Sequence, residues 1–207
     1  MQAARGTPVD HRDDGPGRTG SGFLARPRSW LLFITVAVVM VAIDQVAKVL
    51  AVRNLTGEPD VEVVGELLQL HLTYNPGAAF SLGTRFTVAI ACLACVATLV
   101  VLWVSRRVAS PVWAVGLGLL LAGIDGNLID RLFRDPAPFR GHVVDFLMLP
   151  NWPVFNVADI CINVGVGLIL LQVLRGVNLD GSRVEPRDAD RPEAEDEPAA
   201  GDVEEDR

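Results

Sequence analysis

The sequence predicts an all-α membrane protein: a four-transmembrane-helix bundle with a small β-sheet on one membrane surface and disordered termini. Half of its 207 residues are hydrophobic, and they fall in long apolar runs separated by short polar stretches. That unevenness belongs to a multi-span protein and not to a soluble core. A stretch of period-2 alternation between the first two runs supplies the sheet. Charge completes the outline. The formal net charge is −7, yet Asp180 to Arg207 alone holds twelve acids and four bases, so the rest of the chain sums to about +1.

A span needs about twenty apolar residues. Four runs meet this, at about 30–50, 86–104, 112–130 and 156–174. The first follows Arg26 and Arg28 and is interrupted by Asp44, Gln45 and Lys48. No small-residue cleavage site follows it, so it reads as a retained span and not as a signal peptide. The second, Phe86 to Val104, ends at Arg106 and Arg107, and Pro111 restarts the chain. The third carries Gly116, Gly118, Gly123 and Gly126, and the fourth Gly165 and Gly167. Residues this small let helices approach closely in lipid.

Four spans put both termini on one side. Arg26, Arg28, Arg106, Arg107 and Arg175 then gather there, which the positive-inside rule makes the cytoplasmic side. Arg131, Arg134 and Arg140 crowd the opposite loop and are expected to serve a local purpose. In the first outer loop, 51–85, residues Glu66 to Tyr74 alternate. Leu68, Leu70, Leu72 and Tyr74 share one face, and Gln69, His71 and Thr73 share the other. The second outer loop, about 131–155, holds Pro136, Pro138, Pro150 and Pro153, with Trp152 at the depth where tryptophan meets lipid headgroups.

The segments 1–25 and 177–207 read as disordered extensions around a domain at 26–176, because their composition cannot bury a core. No chemistry is assigned to either. Cys92, Cys95 and Cys161 cannot build a disulfide framework and lack nearby ligands for zinc, so they read as small apolar packing residues. No metal site, cofactor or nucleic-acid partner is expected. HExxH and Gly-rich phosphate loops are both missing from the sequence.

The polar residues of the spans are Asp44, Gln45 and Lys48, then Asp125, Asn127, Asp130 and Arg131, then Asn156, Asp159 and Asn163. Under the proposed topology all lie at outer span ends, and Asp145 lies in the outer loop beside them. Asp44 and Lys48, at i and i+4, can pair as a tolerated ion pair or as support for a site. Asp130 beside Arg131 reads as an anchor to the adjacent loop or as part of the same site. Asn127 and Asn156 can donate to carboxylates or peptide carbonyls, or join helices.

Asp145 and Asp159 have a different context. Their neighbours are apolar, and no Lys or Arg lies within four residues of either. Carboxylates kept at a membrane surface without a local partner usually have a use. Two that converge can share a proton, one taking a proton from water while the other polarises a carbonyl. On the residues alone, a catalytic dyad and a proton or ion relay both fit.

Five motifs occur in order: Asp44-Gln-Val-Ala-Lys48, Asn75-Pro-Gly-Ala-Ala-Phe80, Gly126-Asn-Leu-Ile-Asp-Arg131, Val143-Val-Asp-Phe146 and Phe155-Asn-Val-Ala-Asp159. Together they closely resemble the bacterial lipoprotein signal peptidases (signal peptidase II) over about Trp30 to Leu174. The resemblance implies an aspartic endopeptidase of the bacterial cell membrane that removes the signal peptide from diacylglyceryl-modified prolipoproteins, just before the lipidated cysteine. It implies Asp145 and Asp159 as the catalytic pair. Asn75, Gly77, Asn127, Asp130, Arg131, Asn156 and Ala158 would line or support the site, with Asp44 and Lys48 as the first-helix motif. It also implies a periplasmic sheet from 61–74, an active site near the outer face, cytoplasmic termini, contact with membrane lipid, and inhibition by globomycin-type compounds. Asp125 departs from the family pattern, which usually has a small or apolar residue there. The alternative is a small proton-coupled transporter using the intramembrane carboxylates as a relay; a non-enzymatic scaffold would leave the two acids without a reason.

Overall fold

A computed structural model describes residues 22–77 and 87–183. Helix α1 spans Gly22–Leu55, α2 Thr87–Ser105, α3 Pro111–Phe133 and α4 Val157–Leu174; strands β1 (Val61–Val64), β2 (Leu68–Asn75) and β3 (Val143–Met148) complete the chain. Ala78 to Phe80 of the second motif and most of both extensions lie outside the described residues. All four helices are long and apolar enough to cross a membrane. Their outward faces are studded with exposed Leu and Val, as on Leu31, Leu93, Leu99 and Val173. In lipid such a surface has no cost.

Helix α1 begins at Gly22, inside the expected extension, and runs past the apolar stretch to Leu55. Its last turn is polar. Asn54 and Thr56 return hydrogen bonds to the carbonyls of Leu50 and Val52, and Gly57 then leaves the helix at φ 79°. Helix α3 starts on Pro111, whose missing N–H is harmless in a first turn. It is the hub: α1, α2 and α4 all pack on it. Gly123 makes the α4 contact possible. A Cβ there would sit 2.3 Å from the Ala158 carbonyl oxygen and 2.5 Å from the Ile162 side chain. Gly167, expected to do the same on α4, faces open space.

The sheet is antiparallel in the order β1-β2-β3. Leu70 and Leu72 of β2 pack with Val144 and Phe146 of β3 against Ala51 and Leu55 at the outer end of α1. The alternation at 68–74 therefore marks a real strand, although Tyr74 itself is exposed. The second outer loop contains a strand that periodicity does not reveal. In β3 the first four residues are buried whichever way they point. Val177 to Arg183 close a small turn in which Leu179 accepts from the backbone N–H groups of Ala109 and Ser110. Trp113 Nε1 donates to the Val177 carbonyl, and Val177 and Leu179 join the apolar cluster of Phe33, Val108 and Trp113.

The glycine contrast is testable by thermal unfolding in detergent. Gly123→Ala is expected to cost about 1–3 kcal/mol through overpacking against α4. Gly167→Ala is expected to be neutral or to stabilise by up to about 1 kcal/mol through helix propensity. Equal effects from the two changes would contradict the packing described.

Candidate active site

The C-terminal ends of α1 and α3 and the N-terminal end of α4 meet beside the sheet, and their polar residues form one continuous network. At its base is Lys48, fully buried on α1. Its ammonium pairs with Asp44 at 2.9 Å and with Asp130 of α3 at 2.9 Å, and donates to Asn127 Oδ1 at 3.0 Å. Neither carboxylate is left half-satisfied. Asp44 Oδ1 accepts from the Ala158 N–H at 2.9 Å, which ties α1 to the first turn of α4. Asp130 accepts from Arg134 Nε at 2.6 Å and from the Val144 N–H at 3.2 Å, which ties α3 to β3. Thus Arg134, one of the arginines on the unfavoured side, serves the site locally. Gln45 adds a bond from its side chain to the Gly126 carbonyl.

Above this base lie the two aspartates. Asp145 is buried in β3, opposite Thr73 of β2. That register makes Asn75 its diagonal neighbour, and Asn75 Nδ2 donates to Asp145 Oδ2 at 3.1 Å. The orientation of the Asn75 amide is set by the Gly77 N–H, which donates to its Oδ1. Asp159 lies in the first turn of α4, where Asn156 caps the helix. The Asn156 side chain accepts from the Asp159 N–H, and Asp159 Oδ2 accepts from the Asn156 N–H, each at 3.1 Å. This capping box satisfies two orphan donors reciprocally and fixes the carboxylate.

Asn156 also joins the two acids. Its Nδ2 donates to Asp145 Oδ1 at 2.6 Å and to Asn127 Oδ1 at 3.0 Å. Asn127 Nδ2 in turn donates to Asp159 Oδ1 at 2.9 Å. Arg131 is buried alongside, bonded through Nη1 to the Asn127 carbonyl, while its Nε has no partner. Burial pushes the Asp145 carboxyl up to about 6; the hydrogen bond from Asn75 works against this, and the charge of Asp159 adds to it.

Both aspartates line a cleft of about 960 Å³. Asn75, Gly77, Asn127 and Arg131 share its wall. Its lining also includes Tyr74 and Trp152, and Ile160 and Val164 of α4. Among the described residues no group of three or more His, Cys, Asp or Glu is placed to hold a metal ion.

The model of the family described as Signal peptidase (SPase) II matches residues 36–175. The chain belongs to the signal peptidase II family. The lipoprotein signal peptidase of Mycolicibacterium smegmatis is 45% identical over 195 residues, 94% of this chain and 80% of that protein. The lipoprotein signal peptidase of Mycobacterium bovis (strain BCG / Pasteur 1173P2) is 42% identical over 183 residues, covering 88% and 90%. Among solved structures, "Bacterial membrane enzyme structure by the in meso method at 2.3 A resolution" aligns at a TM-score of 0.60 and 27% identity, over 69% of this chain and 87% of that one. A second bacterial membrane enzyme, solved at 1.9 Å, aligns at 0.59 and 28% identity, over 69% and 92%. The protein is therefore a multi-pass membrane peptidase of the signal peptidase II family, and the transporter alternative finds no support.

Every site residue that the signal peptidase resemblance implies lies in this network. Asn75, Gly77, Asn127, Arg131, Asp145 and Asp159 reach the cleft, while Asp44, Lys48, Asp130, Asn156 and Ala158 support them from behind. Asp125 is elsewhere: it accepts from Thr98 Oγ1 at 2.6 Å and ties α2 to α3. Sequence reasoning did not single out Tyr74, Asn151, Trp152 or Asn163 as lining residues. Trp152 had a signal, an aromatic between two prolines, and Asn163 had one as a polar residue within an apolar span; Tyr74 and Asn151 had none that distinguishes them from strand or loop residues.

The raised Asp145 pKa gives a pH prediction. Ionising this carboxyl costs the folded state more than the unfolded one, so the penalty is absent below pH about 4, grows up to pH about 6 and is constant above. Asp145→Asn removes it. The stability of this variant relative to the parent is expected to rise across that window by about 2–3 kcal/mol. A pH-independent difference in melting temperature would contradict it.

Proposed function

We propose that this signal peptidase II member is an aspartic endopeptidase in which Asp145 and Asp159 activate water at the outer membrane surface. The observation that carries the reading is Asn156, which from behind the cleft bonds one of its two lining carboxylates through its side chain and the other through its backbone. Two carboxyls held this way, one with its pKa already raised, match the requirement for a shared proton. The ionised partner takes a proton from water as the oxygen attacks the scissile carbonyl. The protonated partner donates to the carbonyl oxygen, and the tetrahedral intermediate collapses when the peptide nitrogen is protonated. No covalent enzyme intermediate is required.

The substrate is a prolipoprotein bearing a diacylglyceryl group, cut just before the lipidated cysteine. The cleft suits it: Ile160 and Val164 face the bilayer that would hold a signal helix and acyl chains, while Tyr74 and Trp152 sit at the aqueous rim. The unpartnered Arg131 Nε offers a donor to a substrate carbonyl. Globomycin-type inhibitors would occupy the same space. The termini would be cytoplasmic, where Arg28, Arg106, Arg107 and Arg175 gather at one end of the bundle, and the active site would face outward. On this reading 26–176 is the peptidase domain, and the terminal extensions carry no chemistry.

Purified Asp145→Asn and Asp159→Asn, reconstituted with a lipidated precursor, are each expected to lose on the order of 1,000-fold in cleavage rate while still inserting. Substantial cleavage by either would contradict the assignment. An unlipidated precursor is expected to be cut poorly by the parent enzyme; equal rates for both forms would mean that the lipid is not recognised.

A further inference from the structure

Asn75, Asn127 and Asn156 touch the two aspartates through side-chain amides, and each amide has two ends that differ in chemistry: the nitrogen donates and the oxygen accepts. Which end faces a carboxylate decides whether the contact stabilises or opposes its charge. Each amide is oriented by a group that can only donate. The Gly77 N–H holds Asn75 Oδ1, and the Asp159 N–H holds Asn156 Oδ1. Those two are backbone groups and belong to the local turn. The third is different. Asn127 Oδ1 receives the ammonium of Lys48, which comes from another helix and has no acceptor lone pair.

We propose that Lys48 is a positioning residue for the reaction: it fixes the Asn127 amide so that its nitrogen, and not its oxygen, faces Asp159. This rests on the reading of Asp145 and Asp159 as the reacting pair. The relay is short and fully specified. Lys48 Nζ donates to Asn127 Oδ1 at 3.0 Å, and Asn127 Nδ2 donates to Asp159 Oδ1 at 2.9 Å. Asn156 Nδ2 also points at Asn127 Oδ1, but it shares its hydrogens with the oxygens of Asp145 and Val144. Of these two donors on Asn127 Oδ1, the ammonium is the charged one. A turned amide would present Oδ1 to the Asp159 carboxylate and Nδ2 to both Asn156 Nδ2 and the Lys48 ammonium; the contact with the ammonium is the charged share of that penalty, and it is lost with Lys48. Lys48 has a separate structural duty toward Asp44 and Asp130. The other charged or titratable groups around Asp159 are Asp145 on β3, Arg131 and Asp130 on α3, Asp44 on α1, and the Cys161 thiol one half-turn along α4.

The test must separate positioning from folding. Lys48→Met alone strands the Asp44 carboxylate. The double variant Asp44→Asn, Lys48→Met does not, because the amide oxygen introduced at position 44 can still accept from the Ala158 N–H, and Asp130 keeps Arg134 and the Val144 N–H. The readout is the pH–rate profile for cleavage of a lipidated precursor, with Asp44→Asn as control and melting temperature measured alongside. In the double variant the acidic limb is expected to move up by about one to two pH units relative to Asp44→Asn, through the lost hydrogen bond to Asp159 together with the lost Lys48 charge that lowers Asp145, so the share of the amide is read from the Asn127→Leu comparison. The rate on the plateau is expected to fall on the order of 100-fold, as for the loss of one preorganised donor. Adding Asn127→Leu should then cost little more, since the relay is already broken. An unmoved acidic limb, or an Asn127→Leu loss that multiplies with the first, would overturn the positioning role and leave Lys48 as a structural ion. Activity retained by Asp145→Asn or Asp159→Asn would instead remove the dyad itself, so the two failures are distinguishable.

Discussion

Lys48 puts an ammonium where no water reaches, between Asp44 on its own helix and Asp130 on α3. Removing one member of a buried pair leaves an uncompensated charge, at a cost of about 3–5 kcal/mol. That penalty constrains the rest of the structure. Asp44 can stay only if the start of α4 supplies the Ala158 N–H, and Asp130 only if Arg134 and the start of β3 supply theirs. The ion cluster therefore fixes the outer ends of α1, α3 and α4 and the position of β3 together. Asp159 rides on the first of these constraints and Asp145 on the second. Neither Asp145 nor Asp159 pairs directly with a cation among the described residues, and the buried ion cluster lies one layer below them.

Neutral amides then do what charges would do badly. Asn75, Asn127 and Asn156 give the two aspartates uncharged direct donors, while the Arg131 guanidinium lies nearby without a hydrogen bond to either. A lysine in direct contact would hold both acids ionised and leave neither able to donate a proton. Burial in β3 and the proximity of Asp159 push Asp145 the other way, to about 6. The depth of the site follows from the same elements. Asp159 lies in the first turn of the membrane-length helix α4 and Asp145 in the adjoining sheet, and Ile160 and Val164 of α4 line the same cleft.

Much of this was legible in the chain. Four apolar runs gave four helices, since hydropathy over twenty residues is a strong signal. Asp145 and Asp159 stood out because nothing nearby in sequence could neutralise them. The hidden parts depended on contacts that sequence spacing does not encode. Strand β3 shows no alternation because Val143 to Phe146 are buried on both faces, so its residues are uniformly apolar apart from the aspartate. The i, i+4 pair of Asp44 and Lys48 was visible, but the reach of Lys48 to Asn127, 79 positions away, was not. Asp125 stood out only as a departure from the family pattern two residues before Asn127. Two residues of helix rotate a side chain by about 200°, and Asp125 faces Thr98 on α2. The turn at Val177 to Arg183 was lost in an acidic composition, although Val177 and Leu179 are the apolar residues that dock it.

The central claim is that Asp145 and Asp159 share one proton at working pH. Infrared difference spectroscopy of the enzyme against Asp145→Asn, with isotope-labelled aspartate, observes that proton directly. A protonated carboxyl band is expected in the parent on the acid side of pH about 6, titrating there, and lost in the variant. A band that is unaffected by the substitution, or a pair already fully ionised below that pH, would contradict it.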